Sequence, residues 1–168
     1  MNYFELFEIP VSLNVNTAVL SKRFFELSRQ YHPDYFATHG QASQAEALEK
    51  SAMLNKAWKT FQNKDAVIKY VLQEKGLLAE EEKYELPPAF LMEVLEINEQ
   101  LMDADETTAP GLQSTINNLQ TEIYEPVKEI VESYQEGITT EKELLQVKEY
   151  YYKKKYLDRI RQQLAGMA

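Results

Sequence analysis

Apolar residues recur at helical spacing along most of this chain. A short apolar segment over residues 3–7 stops before Pro10, and residues 11–15 read as a loop, with Asn16 or Thr17 as the N-cap of the next helix. That helix runs to about Tyr31, because Leu20, Phe24, Leu27 and Tyr31 fall at i, i+4, i+7 and i+11 and make one narrow stripe. His32-Pro33 ends it, since a residue before proline is pushed out of the α region. After a loop holding His39 and Gly40, a third helix is predicted over about residues 41–62, with Leu54, Ala57, Trp58 and Phe61 as its clearest core face. A shorter helical piece over residues 66–74 ends near Gly76.

Residues 77–86 include Glu80-Glu81-Glu82 and read as a solvated linker. Pro87-Pro88 then marks a new start, proline being tolerated in a first helical turn. One helix is predicted over about residues 88–103. Another follows Pro110-Gly111, with Leu112, Ile116, Leu119, Ile123, Val127 and Ile130 as its stripe. Pro126 falls inside that pattern and should kink or break it, and Gly137 closes it. The last helix spans about residues 140–164, with Val147, Tyr150, Leu157, Ile160 and Leu164 roughly on one side. Three helices with short connections imply an antiparallel bundle. The expected fold class is therefore all-α, in three parts: residues 1–75, a linker over 76–86 and a bundle over 87–168.

Composition narrows the chemistry. The 168 residues are 44% hydrophobic and 27% charged, as in ordinary globular proteins, and only 5 are Gly, which disfavours a turn-rich β architecture. No apolar run is long enough to span a bilayer, and MNYFELFEIP lacks the basic and apolar regions of a secretion signal. Cysteine is absent, which excludes disulfide scaffolds and thiolate metal sites and permits a reducing compartment, so a cytoplasmic location is expected. The net charge of −9 is uneven: residues 1–75 balance at +1 and residues 76–168 at −10. Two such modules suit different partners. The acidic half repels phosphate backbones, so neither nucleic acid nor membrane is an expected partner.

Tyr31-His32-Pro33-Asp34 is the short motif with specific content. Pro33 fixes its own φ and removes a donor, which stiffens a protruding loop and lowers the entropy cost of its being gripped. Asp34 offers a carboxylate that an arginine can take with two hydrogen bonds. On the preceding helix, Lys22 and Arg29 lie opposite the apolar stripe and Arg23 flanks it, forming a basic face that leads to the loop. With these residues in place, residues 1–75 resemble a J-domain, the module by which co-chaperones stimulate DnaK-type ATPase chaperones. The resemblance implies a helical hairpin in which His32, Pro33 and Asp34 contact the chaperone, with electrostatic help from Lys22, Arg23 and Arg29. One departure is Asn63-Lys64-Asp65, where many J-domains have Asp-Pro. No Gly/Phe-rich stretch or Cys-based zinc module follows, which points to a specialised J-protein.

The segment FLMEVLEINEQLM is the second informative place. Phe90, Val94, Ile97 and Leu101 form one stripe, sufficient for packing into a bundle. Leu91, Leu95 and Met102 form another, roughly a third of a turn away, bordered by Met92 and Glu99 with Glu96 beyond. From pattern alone both stripes could be buried, one against each neighbouring helix, or the second could be an exposed patch rimmed by carboxylates. The segment Phe90-Leu91-Met92-Glu93 with Leu95-Glu96 is similar to the C-terminal domain of HscB-type co-chaperones, as are MNYFELFEIP, RQYHPDYFA and Tyr156-Leu157-Asp158. That resemblance implies a client: an IscU-type iron–sulfur scaffold, held by Leu91, Met92, Leu95, Glu96, Glu99 and Tyr156 and delivered to an HscA-type chaperone.

The remaining chemistry is sparse. His39 follows His32 and Asp34, but no further ligand has metal-site spacing, so no metal and no cofactor are expected. No Gly-rich phosphate loop or evident nucleophile accompanies His32 and Asp34, so the chain is not expected to be an enzyme. The run from Tyr150 to Tyr156 spreads around its helix and reads as a solvated face with core and rim tyrosines. Two other readings remain: a J-protein with a different client, and a helical interaction module in which the His-Pro-Asp turn is incidental.

Overall fold

A computed structural model describes residues 1–166. Every element among them is helical: α1 (Tyr3–Phe7), α2 (Thr17–Gln30), a 3-10 turn (Pro33–Phe36), α3 (Gln41–Phe61), α4 (Lys64–Glu74), α5 (Pro88–Met102), α6 (Ala109–Tyr124), a 3-10 turn (Glu125–Val127), α7 (Lys128–Glu132) and α8 (Glu141–Gly166). The chain forms two compact units, one of residues 1–71 with 135–138, the other of residues 72–134 with 139–168. No described helix is long and apolar enough to cross a membrane.

In the first unit the helix starts follow from side-chain acceptors. Asn2 takes the N–H of Glu5, Asn16 takes those of Ala18 and Val19, and Asn63 takes that of Ala66, each satisfying a donor that a helix start leaves orphaned. The α2 and α3 helices pair as a hairpin over an aromatic core. Phe24 stacks on Trp58 at 4.8 Å, Phe7 meets Phe61 edge-to-face at 5.0 Å, and Tyr3 stacks on Tyr70 at 4.2 Å. Leu20, Leu27, Leu54, Ala57 and Phe61 are all buried, which places the predicted stripes at the centre of the hairpin.

In the second unit α5, α6 and α8 pack around Val94, Ile97, Ile116, Val147 and Leu157. Pro126 breaks the second bundle helix as its ring geometry requires, and a 3-10 turn separates α6 from α7. That turn also resets the helical phase. Ile130, expected on the stripe, is only half-buried, and Val131 takes the core position instead.

Residues 77–86 differ from the solvated linker the sequence suggests. Leu78 is buried, and Glu82 accepts hydrogen bonds from Lys148 Nζ at 2.8 Å and Tyr152 Oη at 2.9 Å. Tyr84 stacks on Tyr152 at 4.6 Å. Glu81, at φ 57°, turns the chain midway along this strap. The strap meets one member of the tyrosine run, half-buried Tyr152, while Tyr150 and Tyr151 are buried.

Candidate functional site

Two candidate surfaces emerge, one on each unit. In the first, α2 ends at Gln30 and Tyr31 leads into the 3-10 turn that begins at Pro33. His32 sits at φ −63°, ψ 133°, the extended conformation expected before proline. The turn packs on α3, while His32, Pro33 and Asp34 all face solvent. The Asp34 side chain is 94% exposed, so its carboxylate is open to a partner. The N–H of Asp34 donates to His32 Nδ1 at 3.2 Å.

The basic face is less uniform than the sequence suggests. Lys22 and Arg29 are exposed and make no ion pair among the described residues. Arg23 instead reaches Glu8 at 2.7 Å and Glu26 at 3.4 Å. Its charge is therefore largely spent within the unit. Sequence reasoning passed over Phe25 and Tyr35, which are 61% and 68% exposed. A signal for Phe25 was present: it falls between Lys22 and Arg29 at helical spacing, off the buried stripe. His39, considered as a ligand, packs its ring on Tyr35 and Phe36. Among the described residues no group of three or more His, Cys, Asp or Glu is placed to hold a metal ion.

On the second unit, α5 starts with Pro88 inside its first turn and buries Phe90, Val94, Ile97 and Leu101. The other stripe faces solvent: Leu91 is 43% exposed, Leu95 49%, Met92 62% and Met102 84%. Of the two arrangements the pattern allowed, the exposed one holds. Glu96 and Glu99 are exposed beside it. These residues form an apolar strip with a carboxylate border, and Met102 extends it a further two turns beyond Leu95. Tyr156 is half-buried, with its ring edge-on to core residue Phe90 at 6.4 Å. Packing holds it in place, and only part of it is open to a partner.

Hydrogen bonding and burial perturb few groups. The Lys148 ammonium holds the Glu82 carboxyl below its ordinary value, helped by Tyr152. Burial, reinforced by Glu82, pushes the Tyr152 hydroxyl far above its ordinary value. Glu82 on the strap and Tyr152 on α8 meet where the strap lies on that helix, outside the two surfaces.

Comparison with known proteins covers both units. Residues 86–165 match the family described as the HSCB C-terminal oligomerisation domain. The whole chain resembles the crystal structure of the human co-chaperone protein HscB, with a TM-score of 0.80 at 28% identity, covering 98% of this chain and 81% of that one. It also resembles chaperone HscB from Vibrio cholerae, with a TM-score of 0.64 at 26% identity, covering 98% of this chain and 99% of that one.

Proposed function

Because the chain belongs to the HscB-type co-chaperones, we propose that it serves iron–sulfur cluster assembly by joining two other proteins. Residues 1–75 act as a J-domain, and residues 87–168 as a client-binding bundle. The His32-Pro33-Asp34 turn docks on a DnaK- or HscA-type chaperone and promotes ATP hydrolysis by that partner, with Lys22 and Arg29 assisting electrostatically and Arg23, paired with Glu8 and Glu26, contributing less. Leu91, Met92, Leu95, Glu96 and Glu99, with part of Tyr156, hold an IscU-type scaffold. The chain has no active site of its own and acts in the cytoplasm. With no cysteine it lacks the usual ligands for a cluster, so any cluster belongs to the client.

One observation carries this reading. A stiff acidic tip and a carboxylate-bordered apolar strip both face solvent, on different units of one chain. Covalent joining of the two raises the concentration of client at the chaperone, so two weak contacts suffice. Nothing in that mechanism requires bond chemistry by this chain.

The test is steady-state ATPase of the chaperone together with scaffold binding by calorimetry. Asp34→Asn is expected to abolish stimulation and leave scaffold affinity unchanged. Leu91, Met92 and Leu95 together to Ala are expected to do the reverse. If the Asp34→Asn protein stimulates as wild type does, the docking role fails. If the folded triple variant binds scaffold normally, the client surface lies elsewhere.

A further inference from the structure

The His-Pro-Asp turn has a simple donor inventory. Pro33 has no N–H to satisfy. The N–H of Tyr35 goes to the carbonyl oxygen of His32 at 3.0 Å. That leaves the N–H of Asp34, which donates to His32 Nδ1 at 3.2 Å. The imidazole therefore does at this turn what Asn2, Asn16 and Asn63 do at α1, α2 and α4: it accepts from a nearby N–H that would otherwise be orphaned.

We propose that His32 is a positioning residue, whose imidazole caps the turn through Nδ1 and so fixes the backbone from which Asp34 projects. This rests on the reading of Asp34 as the docking group, and it gives His32 a role inside the turn instead of on the partner. The cap needs a lone pair on Nδ1, so the neutral ring carries its proton on Nε2. Nδ1 also stands 3.7 Å from Asp34 Oδ2. That is too long for a hydrogen bond, and two lone-pair atoms do not attract. The ring therefore holds the Asp34 main chain without drawing its carboxylate inward, and the carboxylate remains 94% exposed. Pro33 and His32 divide the work: one fixes φ ahead of Asp34, the other pins its N–H.

If capping is the role, another capping side chain should perform it. Asn is the natural substitute, because it is a strong N-cap and does the same work three times in this chain. Two measurements on the full chain decide the matter: amide hydrogen exchange of Asp34 by NMR on the free protein, and stimulation of a DnaK-type chaperone's ATPase. His32→Ala is expected to speed exchange at Asp34 about fivefold and to cut stimulation about tenfold. His32→Asn is expected to keep both within about threefold of wild type. If His32→Asn preserves slow exchange but loses stimulation as fully as His32→Ala, the imidazole itself touches the chaperone and the positioning role is overturned. Equal exchange rates in all three proteins would overturn the cap directly. Asp34→Asn separates this from the underlying reading: unchanged stimulation there sinks docking through Asp34, while the exchange series still decides whether the cap exists.

Discussion

Arg23 and Arg29 share one helix, but their surroundings give them different capacities. Arg23 is held between Glu8 and Glu26, and an exposed pair of that kind is worth about 0.2–1 kcal/mol. That is too little to lock the side chain, yet enough for two carboxylates to cancel its field. Arg29 stands exposed near the turn with its charge uncompensated. A rim charge acts mainly on the association rate and its salt dependence. Arg29→Ala is therefore expected to lower chaperone stimulation several-fold at low salt and to flatten its salt dependence. Arg23→Ala should change stimulation much less, and Glu8→Ala should raise it slightly by freeing Arg23. ATPase rates across a salt series check all three, and equal losses for the two arginines would contradict the assignment. At this scale the exposed acidic tip was legible, because proline geometry is local. The pairing of Arg23 with Glu8 was not, because it joins α2 to the end of α1, fifteen residues away. The cap by His32 was hidden for another reason: sequence shows a histidine but not which ring nitrogen meets which donor.

Helices were the most legible elements, since a stripe at 3.6-residue period has one cheap way to bury itself. The second stripe of α5 was different in kind. A helical wheel shows which residues share a face but not how many neighbours the helix has, so Leu91 and Leu95 could be placed in solvent only by the packing of α6 and α8. Similarly, the 3-10 turn at Pro126 was foreseeable as a break, but the phase it imposes on α7 was not. The strap over residues 77–86 is the largest departure. Three successive glutamates look solvated, yet Glu82 lies against α8 between Lys148 and Tyr152. Charge-assisted bonds of this kind contribute more than neutral ones, so Glu82→Gln is expected to cost about 1 kcal/mol at pH 7. The pH dependence has a definite sign. The Glu82 carboxyl titrates below its ordinary value when folded, mainly through the Lys148 bond. Its contribution is complete above the ordinary glutamate range and is lost as pH falls through the lowered value. Denaturant melts of both proteins should therefore differ at pH 7 and converge at acid pH. An equal difference at both would show that the carboxylate charge does not pin the strap.

Taken whole, the molecule is acidic, with a net charge of −9 and an isoelectric point near 4.8. That bears on what can cover the apolar strip of α5, because the matching family is described by oligomerisation. A two-fold pairing of two copies on this strip would set the same residues against each other. Glu96 and Glu99 border it, so each copy would bring carboxylates toward carboxylates, on a half-chain with a balance of −10. Like charges brought together across an interface cost several kcal/mol, which opposes self-pairing at neutral pH and favours a partner with a basic rim. The opposition fades as pH approaches the isoelectric point, where the net charge of the molecule vanishes. Sedimentation velocity at pH 7 is therefore expected to show a single 19.6 kDa species. Near pH 5 larger species should appear, and the combined Leu91, Met92 and Leu95 to Ala variant should suppress them. A dimer at pH 7 that this same variant dissolves would mean that the strip is built for a second copy of the chain, and the client would have to bind somewhere else.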